Sequence, residues 1–462
     1  MENKYQQVGL SKLNESFVDN KIGIQGRVHN SRNKGKFCFI VLRENIHTLQ
    51  CVAIKKTISD EEFKKLTTLT NESVINVRGT LKKIPEKVGG IKSCSYHNFE
   101  LAIEEFELIS SAKDLPFTLE DANVIDNEET HHNTVKTVTR LDNRYFDLCA
   151  PINYCIFKMQ SGISHLFREY LTNLDFMEIH SPKLISAASE GGASVFPVKY
   201  FDRAAFLAQS PQLYKQMVIN SDFERVFEIG PVFRAENSQS NRHLCEFIGL
   251  DVEMALTPGQ TYHEILSVLW GALDYIFVNL KTRYGKEYKY IQDNHKFEEI
   301  VYPKECLIID FLEGVKMLSE NGYTQSETED LSTENEEELG NIVKKKYGSD
   351  LFILDKYPSN VRPFYTMPIG NGRSNSYDVI LRGKEICSGS QRVHNYEMLM
   401  ERMGEKKVSI KGLEDYVSSF KTGSKPHGGF GLGLERIVAL YFNLGSVKRT
   451  SLFPRDPNRL TP

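Results

Sequence analysis

Three arginine-bearing segments hold most of the residues that could do chemistry in this chain. They are Phe233-Arg234-Ala235-Glu236, Ser388-Gly389-Ser390-Gln391-Arg392 and Gly431-Leu432-Gly433-Leu434-Glu435-Arg436. Each arginine lies in or beside a strand-like stretch, where a buried guanidinium is costly unless it meets a planar, multiply charged partner. A nucleoside triphosphate held by arginines on an antiparallel sheet fits that need. The usual nucleotide signatures are missing: there is no G-x-x-x-x-G-K-[ST], and no G-x-G-x-x-G follows a strand. Any one of these arginines alone would read as a surface ion pair.

The elements that must position them divide the chain. Short β-rich runs at 22–28, 37–42, 49–54, 74–79 and 99–103 are bounded by turn residues, and 60–69 carries a helical pattern. Five strands with a helix after the third suggest an OB-type barrel, a fold that often binds single-stranded nucleic acid, although any small barrel has the same strand count. Residues 114–130 hold Pro116 and six acidic residues and read as a linker. Beyond Thr137 the pattern changes. Helical spacing over 156–174 runs into Phe176-Met177-Glu178-Ile179 and Pro182, 195–255 is strand-rich, and 262–282 predicts a second helix. The predicted organisation is a barrel at 1–113, a hinge at 114–136 and an α+β domain at 137–462. Its most polar stretch, 318–340, predicts an exposed face or loop without catalytic duty.

Composition excludes more than it identifies. Hydrophobic and charged contents of 40% and 26% over 462 residues are ordinary for a globular protein. The net charge is -4, yet residues 1–113 carry 18 Lys+Arg against 13 Asp+Glu, so a polyanion could bind at that end. The eight cysteines form no C-x-x-C pair, which argues against a zinc site or a disulfide framework and for a reducing compartment. No secretory or transit signal is visible, and no run of about 18 apolar residues predicts a membrane span.

Phe233-Arg234-Ala235-Glu236 with His243 and Phe247 resembles motif 2 of the class II aminoacyl-tRNA synthetases, and the 431–436 run resembles motif 3. The helix and strand ending at Pro182 resemble motif 1. Behind a barrel, and with the terminal Phe453-Pro454-Arg455-Asp456-Pro457, the chain is similar to the aspartate-specific synthetases of eukaryotic and archaeal type. The resemblance implies an OB-fold anticodon-binding barrel and a catalytic domain on an antiparallel sheet flanked by helices. It also implies ATP, L-aspartate and tRNA(Asp) as substrates, Mg2+ with ATP, a cytoplasmic homodimer and no membrane association.

By that resemblance, Arg234 and Arg436 are the catalytic arginines, on the α- and γ-phosphates. His243 and Leu244 lie near the nucleotide, Phe247 stacks under adenine with Arg436 on its other face, and Glu236 takes the adenine amino group. Gly433 and Gly431 let backbone pass close to the ligand, and Glu385 with Ser388 binds magnesium. For aspartate, Ser189 and Glu190 belong to a closing loop, Gln209 and Gln212 flank the pocket, and Lys215 and Arg392 read the side-chain carboxylate. Asp251 takes the ammonium group, and Ser388 lines the same site. Two cations on one carboxylate favour Asp over isosteric Asn, because the wrong substrate leaves charges unpaired. In the barrel, Phe39 offers a stacking face, Gln50 and Glu100 read base edges, and Arg32 meets backbone or base. Phe39 in its alternating strand could instead be core, and Lys215 an exposed helical lysine. Many eukaryotic members carry a Lys-rich extension before the barrel, so tRNA binding here is expected to be more salt-sensitive. Asparaginyl relatives and a non-catalytic nucleic-acid-binding paralogue are the alternatives.

Overall fold

The computed structural model describes residues 4–85, 87, 89–125, 135–188, 195–238 and 240–462. The chain packs as two units, 1–155 and 156–462. In the first, strands β1 (Lys21–Lys34), β2 (Phe37–Glu44), β3 (His47–Ile54), β4 (Val74–Lys83) and β5 (Phe99–Ser110) form a barrel, with helix α1 (Asp60–Thr67) between β3 and β4. Strand β1 pairs along its first half with β4 and along its second half with β2, which closes the barrel, while β3 and β5 pair in parallel. Alternation does the sorting. Ile22, Ile24, Cys38, Ile40, Leu49, Cys51, Val77 and Leu101 point inward, and Phe63 and Leu66 of α1 join the same core. Each such aliphatic side chain contributes about 1.5–3 kcal/mol by leaving water. Ser59 and Glu62 form a reciprocal capping box that starts α1. The expected linker is not featureless: Leu119–Ala122 makes a helical turn with Leu119 and Ala122 buried, and its residues 126–130 lie outside the described set.

The second unit opens with most of helix α2 (Pro151–Thr172) and is built on one eight-stranded sheet. Its strands are β6 (Met177–Glu178), β7 (Arg225–Phe233), β8 (Glu246–Ala255), β9 (Ile308–Asp310), β10 (Leu351–Asp355), β11 (Ser376–Leu381), β12 (Lys384–Gln391) and β13 (His427–Gly433). The spatial order is β9-β10-β11-β12-β13-β8-β7-β6. The six central strands are antiparallel, and each edge strand pairs in parallel. Helix α3 (Gln212–Asn220) packs on β8, α4 (His263–Arg283) on β13, and α7 (Leu434–Tyr441) follows β13 directly. Among the described residues, which include all eight cysteines, there is no disulfide.

One expectation needs correction. Residues 318–340 are not a mere exposed loop. They run from the end of α5 (Phe311–Glu320) into α6 (Thr333–Tyr347), and Leu318, Leu339 and Val343 share a core with Phe352 and Ile380 of the sheet. Averaged polarity hid an amphipathic helix that buries Leu339, Gly340 and Val343 and leaves Glu334 exposed. Helix α4 is by length and composition apolar enough to cross a bilayer, although Glu264, Ser267, Asp274 and Asn279 interrupt it. Here Leu266, Leu269, Leu273 and Ile276 bury its apolar face within the domain.

Candidate active site

A cavity of about 370 Å³ opens over the middle of the large sheet, where β7, β8, β12 and β13 run side by side. Its wall includes Gln209, Gln212, Arg234, Glu236, His243, Leu244, Phe247, Asp251, Glu385, Ser388, Arg392, Gly433 and Arg436. Residues predicted from segments far apart in sequence therefore converge, because antiparallel register sets 251 opposite 431 and 431 opposite 388. Lys215 is not on the wall. Ser189 and Glu190 lie outside the described residues.

One end of the cavity is a buried lattice of charge. Helix α3 turns a polar face inward, with Gln212, Lys215 and Gln216 all buried, the reverse of an ordinary surface helix. Lys215, fully buried, donates to Asp251 Oδ1 at 3.0 Å, to Val252 O at 3.2 Å and to Phe430 O at 3.5 Å. Its ammonium therefore lies beneath Asp251 rather than in the cavity. Arg392 is on the wall and donates to Glu253 at 2.9 and 3.2 Å, to Gln212 Oε1 at 3.0 Å and to Ser390 Oγ at 2.5 Å. Glu253 also stands 3.6 Å from Lys215. Burial would raise the Glu253 carboxyl, but Arg392 and Lys215 override it and hold it below its ordinary value. Burial would likewise depress Arg392, and Glu253 turns that into a rise. Space for Asp251 is kept by two glycines: a Cβ on Gly249 would stand 2.6 Å from Oδ2, and one on Gly431 would stand 3.0 Å from Oδ1. Gly431 thus makes room for a side chain.

Arginines and an aromatic ring form the other end. Arg234 follows the last residue of β7, and its guanidinium lies 5.5 Å from the Phe247 ring. Leu244 packs under Phe247 with Ala439 and Val447. Glu236 stands 3.7 Å from His243 Nε2, and Ser240 Oγ is 2.6 Å from Nδ1. Burial first, then the Arg436, Arg242 and Arg234 charges, lower the His243 pKa against the pull of Glu236, so the ring is neutral near pH 7. Arg436 donates to the backbone oxygens of Glu385 at 3.0 Å and Arg242 at 3.2 Å. Glu435, beside it, is structural: its carboxylate accepts from Ile248 N at 3.0 Å and ties α7 to β8.

Glu385 and Ser388 present hard oxygens on one strand. Burial, reinforced by Asp378, pushes the Glu385 carboxyl up to about 7, with Arg436 opposing. A carboxylate short of positive charge suits a divalent cation. Among the described residues no three His, Cys, Asp or Glu side chains converge as a protein-only cage. The donor set therefore fits an ion that takes few protein ligands and keeps waters or phosphate oxygens, as magnesium does. Ser388 Oγ also accepts from Arg362 at 3.1 Å, and Arg362 pairs with Asp378 at 2.6 Å.

Sequence reasoning missed Glu253, the Arg362–Asp378 pair, and Arg242 with Glu336. Period two from Asp251 pointed to Glu253, since both fall on one face of β8. Asp378 was visible as a lone acid in the apolar run of β11. Asp330 also lines the cavity and Glu336 pairs with Arg242 at 2.9 Å, so the stretch expected to lack duty supplies two acids to this region.

In the first unit, Arg32, Phe39, Gln50 and Glu100 lie on the outer surface of four adjacent strands. Arg32 is opposite Phe39, and Gln50 is opposite Glu100. Gln50 Nε2 donates to Glu100 Oε2 at 2.6 Å. Phe39 is half-buried and stacks with Phe37 at 6.2 Å, outside the barrel core formed by Cys38 and Ile40.

The family described as "tRNA synthetases class II (D, K and N)" matches residues 136–457, and "OB-fold nucleic acid binding domain" matches 22–109. The cytoplasmic aspartate--tRNA ligase of Mus musculus is 45% identical over 98% of this chain and 91% of its own length. The aspartyl-tRNA synthetase structure from Entamoeba histolytica superposes with a TM-score of 0.89 at 39% identity, over 100% of this chain and 94% of that one. The asparaginyl-tRNA synthetase of Pyrococcus horikoshii, with asparaginyl-adenylate, gives 0.87 at 28% identity, with both chains covered completely.

Proposed function

Since this chain belongs to the class II aminoacyl-tRNA synthetases, and within them to the aspartate–tRNA ligases, we propose how its cavity activates aspartate and how its barrel selects the tRNA. The enzyme joins L-aspartate to tRNA at the expense of ATP and works in the cytoplasm, as its named relatives do. The observation that carries the site assignment is one cavity with the Arg392–Glu253–Lys215–Asp251 lattice at one end and Arg234, Phe247 and Arg436 at the other.

In the first half-reaction the aspartate α-carboxylate attacks the α-phosphorus of ATP. A new P–O bond forms, the bond to the bridging oxygen breaks, and pyrophosphate leaves. Charge gathers on phosphate oxygens, so fixed cations lower the barrier. Arg234 leaves the Phe247 face to meet the α-phosphate, and adenine takes its place on the ring. Arg436 meets the γ-phosphate and the other adenine face, while Glu236 takes the adenine amino group. His243 donates or accepts a hydrogen bond near the phosphates. Glu385 and Ser388 would hold Mg2+, which would supply positive charge against the phosphates. Arg392 meets the substrate side-chain carboxylate from the wall. Lys215 acts mainly through Asp251, which takes the substrate ammonium, and Gln209 and Gln212 border that pocket. In the second half-reaction a hydroxyl of the tRNA terminal ribose attacks the activated carbonyl and AMP leaves. No covalent enzyme intermediate is needed, because positioning supplies much of the rate.

Around this core we assign residues 1–113 to anticodon binding, 114–136 to a hinge and 137–462 to catalysis. Phe39 stacks an anticodon base, Gln50 and Glu100 read base edges, and Arg32 meets backbone or base. Edge strand β6, with Met177 half exposed, fits a twofold homodimer interface. An asparagine-specific reading competes, given the likeness to the Pyrococcus enzyme, but a neutral amide would leave the Arg392 end of the lattice without its carboxylate. ATP–pyrophosphate exchange with aspartate, asparagine and lysine in parallel tests the pocket. Exchange with aspartate alone is expected, and exchange with asparagine alone would overturn the carboxylate assignment.

A further inference from the structure

Helix α6 is seated directly on the β11–β12 hairpin. A Cβ on Gly340 would come within 2.3 Å of Gly383 Cα, and one on Gly383 within 2.9 Å of Glu337 Cα, so only glycines permit this approach. Lys384 and Glu337 pair across the same junction at 3.5 Å. The seating brings Glu336 to the start of β12, with its side chain only 14% exposed. There its Oε1 accepts from two donors: the backbone N–H of Glu385, and Arg242 Nη2 at 2.9 Å. Arg436 grips the same two residues in the opposite sense, donating to Glu385 O at 3.0 Å and Arg242 O at 3.2 Å. An acid and an arginine from distant parts of the chain thus close a ring around one loop and one strand. Arg242 precedes His243 on that loop, and both line the cavity.

We propose that Glu336, from the polar segment that lies in the chain between Arg234 and Arg436, is a positioning residue for nucleotide use. It locks the Arg242–His243 loop to β12, so that Arg436 and Glu385 keep their spacing before ATP arrives. Glu336 acts through Arg242 and the Glu385 backbone and touches no substrate. The inference rests on reading this end of the cavity as the nucleotide site. Holding reactive groups in place before binding is a large part of catalysis, and misplacement by about 1 Å can cost roughly a hundredfold.

The test is steady-state ATP–pyrophosphate exchange by the full chain, varying ATP and aspartate separately, for wild type, Glu336→Ala, Glu336→Gln, Arg242→Ala and the Glu336→Ala/Arg242→Ala double variant. Glu336→Ala is expected to lose about tenfold or more in kcat/KM for ATP while the aspartate KM moves less than about twofold. Glu336→Gln keeps an oxygen acceptor at the same reach and is expected to recover to within about threefold of wild type. The double variant is expected to be little worse than the worse single one, because residues in contact are non-additive. Three outcomes overturn the proposal: wild-type ATP kinetics in Glu336→Ala; a parallel loss for both substrates that Gln does not relieve, which marks a structural wedge; or additivity in the double variant. If Glu336→Ala does not fold, Glu336→Asp withdraws the carboxylate by one methylene and must still raise the ATP KM, and an unchanged value overturns the proposal equally. A wild-type chain without exchange would instead sink the nucleotide reading itself.

Discussion

Replacing Arg392 by glutamine should separate recognition of aspartate from use of ATP. Arg392 is the cation of the lattice that lines the cavity, whereas Lys215 is sealed below it. A hydrogen bond to a charged group is worth about 1.5–3 kcal/mol. At about 1.4 kcal/mol per decade, kcat/KM for aspartate should fall roughly 10- to 150-fold, and the preference over asparagine with it. The ATP KM should hold within about twofold, since the hydrogen-bond partners of the Arg392 side chain among the described residues are Glu253, Gln212 and Ser390. Stability should change as well. Glu253, fully buried, loses its contacts at 2.9 and 3.2 Å and keeps Gln212 Nε2 at 3.3 Å and Lys215 at 3.6 Å. Removing one partner of a buried pair costs about 3–5 kcal/mol. In wild type the Glu253 carboxyl is held low by Arg392 and Lys215 against burial, so its contribution is present above the ordinary carboxylate range and lost as pH falls through the folded value. Without Arg392, burial prevails and the sign reverses: the folded carboxyl titrates above the unfolded one, and stability is lost as pH rises. The Tm gap between wild type and variant should therefore widen from about pH 5 to about pH 8. Exchange kinetics with aspartate and asparagine, with thermal melts at both pH values, check this. Aspartate kcat/KM within threefold of wild type, or a Tm gap indifferent to pH, would refute the reasoning.

Other outcomes follow from the same geometry. Arg436→Ala should keep its fold yet lose about a hundredfold or more in ATP–pyrophosphate exchange, as loss of one preorganised transition-state donor does; normal exchange would remove its assigned role. Glu435→Gln should be more stable than wild type at pH 8, because burial lifts the Glu435 carboxyl to about 7 and stability is lost as pH rises from the ordinary range through that value. The gain is at most about 3 kcal/mol, shrinks toward pH 5, and is read from melts at both pH values. Phe39→Ala and Glu100→Ala should each cut aminoacylation kcat/KM about tenfold while exchange without tRNA is untouched, since base stacking is worth about 1–3 kcal/mol. Equal aminoacylation by these variants would exclude the outer barrel face from recognition.

Much of this was legible in the sequence because local chemistry and global fold agree. The barrel strands and α1 were readable from β-rich runs, turn residues and helical spacing, and the arginine segments stood out as charge in or beside apolar strands. What escaped was whatever depends on a neighbour across the sheet. Lys215 and Arg392 could be named from their own segments, but the acid that binds both is Glu253, and only strand register brings it between them. Lys215 was expected on the substrate, and its place under Asp251 follows from the inward turn of α3. The polar 318–340 stretch was misread because composition was averaged along the chain, whereas burial is decided around the helix axis. Ser189 and Glu190 fall outside the described residues, so their part in closure stays a sequence expectation.

The pair of glycines beside Asp251 also bears on inhibition. Any single-base change in a glycine codon that alters the amino acid adds at least a Cβ, and at 249 or 431 that atom intrudes on the Asp251 carboxylate. A cationic inhibitor that leans on Asp251 across these positions would face a target with few escape routes. The substitutions that could block it would also disturb the carboxylate proposed to take the substrate ammonium, so resistance would have to arise elsewhere in the pocket.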